Sequence, residues 1–297
     1  MSTIERAIEK LSRERQQEQP PEPISAEASP PVEEPSARLP EPPDDGAGVP
    51  EPTVSPVHLD LSRLSVEGML NLHAEQGDPL AEQFRRIKRP LLQNAQGKGA
   101  AQVEHPNLIM ITSSLAGEGK TFTAINLALS IAMEMDKTVL LVDADVPNPQ
   151  VTRRLGVKVE RGLTDVLTDA DVELKDVLVR TDIPNLTLLP AGRRHPRANE
   201  LLASAGMHNL IEELATRYAD RVVIFDSPPL ILTSEARGLA GLMGQSVLVV
   251  EESRTPQPVL KDALGMLESS GIVGLVLNKT HRRLGAGYYG GYYGYGQ

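Results

Sequence analysis

The stretch Thr112-Ser-Ser-Leu-Ala-Gly-Glu-Gly-Lys-Thr121 decides how this chain reads. It continues an apolar run that begins at Leu108, and it opens a helical pattern over 120–135 in which Ala124, Leu127, Ala128, Ile131 and Ala132 share one face. A glycine-rich turn between a strand and a helix is the setting that a phosphate-binding loop needs. Glycine lets successive backbone N–H groups converge on phosphate oxygens, and the helix adds the positive end of its dipole. On this reading Lys120 reaches the outer phosphates and Thr121 offers its hydroxyl to Mg²⁺, while Ser114, Gly117, Glu118, Gly119 and Phe122 complete the nucleotide-binding set. Ser114 stands where the general pattern has its first glycine.

Two more apolar runs end in acids. Val139-Leu-Leu-Val-Asp-Ala-Asp145 places Asp143 and Asp145 on one side of an extended chain, and Val222-Val-Ile-Phe-Asp226 runs into Ser227-Pro-Pro. Ligands of open α/β sheets gather at the carboxyl ends of strands. Carboxylates there, beside a phosphate loop, suit metal coordination and activation of a nucleophile, so Lys120, Asp143, Asp145 and Asp226 form the candidate catalytic set, with Thr121, Asp145 and Asp226 toward the metal.

Outward from these motifs, apolar runs at 186–189, 247–250 and 275–277 alternate with helical patterns at 207–218 and 258–269. The alternation predicts an α/β fold, a mostly parallel sheet with helices on both faces, over 58–281. Asp78-Pro79 predicts a helix start, with Leu80, Phe84, Ile87 and Leu91 on one face and a bend or early end at Pro90. Residues 18–57 hold twelve of the 24 prolines and little that is large and apolar, which predicts a disordered linker. Ahead of it, Ile4, Ala7, Ile8 and Leu11 fall at helical spacing and predict a short docking helix within 1–17. Residues 1–60 carry thirteen acids and five bases, so the net charge of −10 belongs mostly to that arm, and no basic footprint for nucleic acid is left in the rest. There is no cysteine, which excludes disulfides and thiolate chemistry, and no apolar run of membrane-spanning length. These features predict a cytoplasmic chain. At the other end, Tyr288, Tyr289, Tyr292, Tyr293 and Tyr295, five of the six tyrosines, are interleaved with glycine over 282–297. Such a tail has no core to bury its rings and presents phenolic hydroxyls instead.

Together the loop at 112–121, Asp143-Ala-Asp145, Asp226-Ser-Pro-Pro229 and the terminal tyrosine cluster resemble the bacterial tyrosine kinases of polysaccharide export, a deviant-Walker P-loop class. The Arg-Arg-Ile-Lys-Arg-Pro-Leu-Leu stretch at 85–92 is similar, more narrowly, to the exosortase-associated tyrosine autokinases. The resemblance covers roughly residues 80–297. It implies ATP and Mg²⁺ as cofactors, autophosphorylation of the five tail tyrosines between subunits of a homo-oligomer, and an adenine contact at Asn278. It also implies an inner-membrane export protein as activator and a phosphotyrosine phosphatase as antagonist. Glu82, Arg85 and Lys88 match the family's Glu-x-x-Arg-x-x-Arg oligomerisation motif, with lysine in the last place.

The chain departs from that pattern at Ala116, where a proline is common, and in Val146-Pro-Asn-Pro149, which lacks the base that usually follows the second acid. Two other functions stay open on sequence: a positioning ATPase, which would carry a second lysine where this chain has Leu115, and a non-catalytic nucleotide-binding adaptor.

Overall fold

Strand β1 (Leu108–Ser113) is buried at every residue because it lies in the middle of a seven-stranded sheet. The computed structural model describes residues 56–71, 78–99 and 101–280. The docking helix over 1–17, the linker except for its last two residues, and the tail with Tyr288, Tyr289, Tyr292, Tyr293 and Tyr295 lie outside the described residues.

The described chain opens with α1 (Leu61–Val66) and α2 (Pro79–Ala95), followed by β1, α3 (Lys120–Ala132) and β2 (Thr138–Asp143). Four short elements come next: α4 (Val151–Leu155), α5 (Leu163–Thr168), α6 (Leu174–Val177) and β3 (Val179–Arg180). Then follow β4 (Leu186–Leu189), α7 (Ala198–Leu202), α8 (Ala205–Arg217), β5 (Arg221–Asp226), α9 (Ser234–Ala240), β6 (Gln245–Glu251), α10 (Gln257–Met266) and β7 (Ile272–Asn278). The sheet order is β3-β4-β2-β5-β1-β6-β7, and all pairs are parallel except β3–β4. The predicted mostly parallel α/β sheet is therefore present. Sequence patterning missed α1, the short elements from α4 to β3, and also α7 and α9, because helices of four to seven residues and a two-residue strand are too short to show a period.

Strand geometry explains the apolar runs. Alternate residues face opposite sides, so a strand buried on both faces has no place for polar side chains. Leu108, Met110, Leu140, Val142, Val223 and Phe225 enter one core layer, under α8, α9 and α10. Ile109, Ile111, Val139, Leu141, Val222 and Ile224 enter the other, with α2 and α3 and with Leu59, Leu64, Met69 and Leu70 of the entering chain. That entering chain is tied down: Val57 bridges Thr181, and the Leu59 N–H donates to Asp182 at 3.0 Å. Among the described residues, no helix is long and apolar enough to cross a membrane.

Helix α2 corrects two expectations. Its start is as read, with the Asp78 carboxylate accepting from the Leu80 N–H at 2.9 Å and Pro79 in the first turn. It does not end at Pro90, however, but runs on to Ala95, because Phe84 and Leu91 anchor it on either side of the proline. Lys88 does not share an outward face with Glu82 and Arg85. At 100° per residue it falls in line with Phe84 and Leu91, and it is only 7% exposed. Its ammonium donates to the Ser130 carbonyl at 2.6 Å and pairs with Glu134 at 2.5 Å, while Glu82 pairs with Arg85 and Arg86 on its own helix.

Pro90 is exposed, and lacking an N–H it leaves the Arg86 carbonyl without its helical partner. Pro90→Ala is expected to raise unfolding stability by about 1–3 kcal/mol, read from urea denaturation. An unchanged midpoint would show that the helix has already absorbed the defect.

Candidate functional site

The parallel register sets the site. Asp143 at the end of β2 is the register partner of Asp226 at the end of β5, so two carboxylates stand side by side on one edge of the sheet. The neighbouring strand β1 leads into the glycine-rich loop and then into α3. Gly117 and Gly119 hold φ of +87° and +103°, in the left-handed region that side chains disfavour. A Cβ on Gly119 would also stand 2.0 Å from the Asn278 amide nitrogen. Gly119 offers α3 no side-chain cap, so the first N–H groups of that helix remain available to an anion.

The loop is braced from behind. Glu118 is 2% exposed and turns inward, with one carboxylate oxygen accepting from the Leu115 N–H at 2.8 Å and the other from the Thr255 hydroxyl. The Asn278 amide donates to the Glu118 carbonyl at 2.9 Å, and the Lys279 ammonium donates to the Gly117 carbonyl at 2.7 Å while pairing with Glu251 at 3.0 Å. The side chains of Glu118 and Asn278, expected at the nucleotide, are thus committed to loop geometry. Lys279 and Thr255 were missed, and no local signal marked them, because they come from chain 134 or more residues beyond the loop.

At the loop's end Lys120 is held among the acids. Its ammonium lies 2.5 Å from Asp145 Oδ2 and 3.8 Å from Asp226 Oδ1. Burial works against the ammonium, but Asp226, Asp145 and Asp143 outweigh it and raise its pKa. Asp226 is pushed up to about 6, first by burial, with the Lys120 charge opposing. Asp143 is raised well above the usual carboxylate range by burial and then by the negative charge of Asp226. Its Oδ2 accepts from the Val151 N–H at 2.9 Å.

Asp143 Oδ1, both carboxylate oxygens of Asp226 and the Ser114 hydroxyl are buried with no hydrogen-bond partner. Unsatisfied buried oxygens are costly; a cation or a water would satisfy the carboxylates, and the Ser114 hydroxyl could donate to a phosphate. Among the described residues no three acids or histidines converge closely enough to hold a metal unaided. Mg²⁺ is ordinarily held through one or two protein groups plus phosphate oxygens and water; Thr121, Asp145 and Asp226 are the residues that would hold it here.

In front of the acids lies a cleft of about 330 Å³. Gly117, Gly119, Lys120, Thr121, Phe122 and Asp145 line it. Phe122 is steadied by a tilted contact with Phe84, ring centroids 6.3 Å apart. Of the three acids only Asp145 lines the cleft, whereas Asp143 and Asp226 are completely buried behind it. An apolar wall of Pro147, Pro228, Pro229 and Leu232 was not anticipated, nor was Arg154. Arg154 sits on α4, a helix too short to show periodicity; its one sequence signal was nearness to Asp145.

The Asp226 shift has a pH consequence. A carboxyl whose folded pKa stands above 3.8 binds its proton more tightly in the folded state, so its contribution to stability falls as pH rises from about 4 to about 6 and stays low above that. The shift corresponds to on the order of 3 kcal/mol. Asp226→Asn is expected to stabilise the nucleotide-free protein at pH 7.5 and to flatten its stability profile between pH 4 and 6. Thermal unfolding across that range checks both, and a steeper profile in the variant would contradict the assignment.

Comparison with known proteins adds the following. The AAA domain family matches residues 107–254. The tyrosine-protein kinase YwqD of Bacillus subtilis strain 168 is 34% identical over 215 residues, spanning 71% of this chain and 86% of that protein. The succinoglycan biosynthesis transport protein ExoP of Rhizobium meliloti strain 1021 is 35% identical over 208 residues, 67% of this chain and 25% of that protein. Among solved structures, the kinase domain of VpsO superposes with a TM-score of 0.55 at 32% identity, covering 68% of this chain and all of that one.

Proposed function

This chain belongs to the bacterial tyrosine-protein kinases of exopolysaccharide systems, on a P-loop NTPase fold, and from that premise we propose that it is an ATP-dependent tyrosine autokinase acting on its own Tyr288, Tyr289, Tyr292, Tyr293 and Tyr295. The observation that carries the reading is the Lys120 ammonium, buried at 2.5 Å from Asp145 beside a glycine-rich loop.

The loop amides and Lys120 bind the triphosphate. As Lys120 turns to the phosphates, it releases Asp145. A free phenol titrates near ~10 and needs a base at neutral pH. Asp145, which lines the cleft, accepts the phenol proton; Asp143 lies behind the cleft with one oxygen tied to Val151. The phenolate oxygen bonds to the terminal phosphorus as the bond to the bridging oxygen breaks and ADP leaves. Thr121 and Asp226 would hold Mg²⁺, which would supply neutralisation of charge on the phosphates. The apolar wall of Pro228, Pro229 and Leu232 offers the tyrosine ring a dry face.

From Lys279 to Tyr288 the chain spans at most ~30 Å, enough to reach a neighbouring subunit. That reach allows the reaction to pass between subunits of a homo-oligomer. Glu82 and Arg85 remain on the surface for such contacts, whereas Lys88 is engaged within its own subunit. Each phosphate adds roughly −1.5 to −2 charges to the tail, and the accumulated repulsion loosens the assembly. An inner-membrane export protein as activator and a phosphotyrosine phosphatase as antagonist complete the cycle, with the kinase in the cytoplasm at the membrane face.

Full-length protein incubated with Mg²⁺ and ATP is expected to gain phosphotyrosine, mapped by mass spectrometry to residues 288–295. Lys120→Ala should reduce labelling at least about a hundredfold, and deletion of 288–297 should abolish most of it. Equal labelling of wild type and Lys120→Ala would rule out phosphoryl transfer at this site.

A further inference from the structure

The cleft has to accept a polyanion, yet its one anticipated cation is already matched. Lys120 is paired with Asp145 at 2.5 Å and lies 3.8 Å from Asp226, while Asp143 adds a third acid behind them. The base that normally follows the second acid is missing from Val146-Pro-Asn-Pro149. Among the described residues lining the cleft, the other cation is Arg154.

Three features suit Arg154 to the task. Its Nε is buried without a hydrogen-bond partner, so the guanidinium has a donor to spare. Its charge is felt at Asp226, where it opposes the rise in pKa, so it acts on the same electrostatic centre as Lys120. It also keeps a movable partner, since its Nη1 pairs with Glu67 at 3.3 Å and both side chains are about a third exposed, at 32% and 39%. A partly solvated pair at that distance is weak and easily exchanged. A guanidinium can instead grip phosphate with two parallel bonds.

We propose that Arg154 binds the terminal phosphate of the nucleotide and that Glu67 is the counter-ion it gives up to do so. The proposal rests on the reading of this cleft as an ATP site. Glu67 directly follows α1, which packs beside α4, and α1 and the chain on either side of it are anchored by buried Leu59, Leu64, Met69 and Leu70. The placement of Glu67 therefore rests on those buried residues.

The test is calorimetric titration of the full-length protein with Mg²⁺ and either ATP or ADP, alongside thermal unfolding of each variant. Arg154→Gln is expected to weaken ATP binding roughly tenfold and ADP binding less than about threefold, because only ATP carries the third, γ-phosphate. Arg154→Lys should recover part of the loss, and Glu67→Gln should tighten ATP binding about threefold by freeing the guanidinium. If Lys120→Ala abolishes ATP binding while Arg154→Gln leaves it unchanged, or weakens ATP and ADP equally, this inference is overturned and the ATP site stands. If wild type itself fails to bind ATP, the reading of the cleft falls. Should Arg154→Gln unfold, Glu67→Gln decides alone, and an ATP affinity equal to wild type would refute the exchange.

Discussion

Asp143 and Asp226 are neighbours in a parallel register, buried at the same edge of the sheet, and that adjacency constrains everything built around them. Two buried carboxylates in such a position have their pKa pushed up, by burial and by neighbouring negative charge, and a nearby cation opposes that rise. Lys120 is that cation, and because Lys120 is the first residue of α3, the loop before it has to turn tightly enough to bring the ammonium down onto the acids. The left-handed glycines at 117 and 119 make that turn possible, and Glu118, Thr255, Asn278 and Lys279 hold it in place. Loop, sheet edge and helix are parts of one electrostatic arrangement.

The arrangement is under tension in a useful direction. Unsatisfied oxygens at Asp226 and Asp143 and a bound-up lysine describe a site that gains when a nucleotide and its metal arrive. On the proposed mechanism the phosphates would take Lys120, and Mg²⁺ would take an oxygen of Asp226. Asp145, at the cleft wall, is then left free to act as a base. Stability is surrendered locally where function needs charge, as the raised pKa of Asp226 records.

The second tier of the site comes from elements that sequence patterning handles poorly. Arg154 stands on a helix of five residues, Glu67 follows one of six, and Leu232 lies in the turn after Pro229. None has a period long enough to read. The loop brace is similar, since Thr255 and Lys279 meet residues 117 and 118 only because β6 and β7 run parallel to β1 and end at the same edge.

What the sequence by itself determined is the fold class, the position of the phosphate loop and the three acids at strand ends, because each is written in contiguous residues: runs buried on both faces must be apolar, and a tight turn must be glycine. What only the tertiary structure decided is how those residues divide the work. Glu118 and Asn278 look inward, Lys88 lies beneath its helix, Asp143 sits behind the cleft and Asp145 in its wall, and Arg154 arrives from outside the motifs. The physical reason is that the direction a side chain faces, and which distant chain it meets, follow from helix phase and strand register, and these are fixed only when the two core layers close over the sheet.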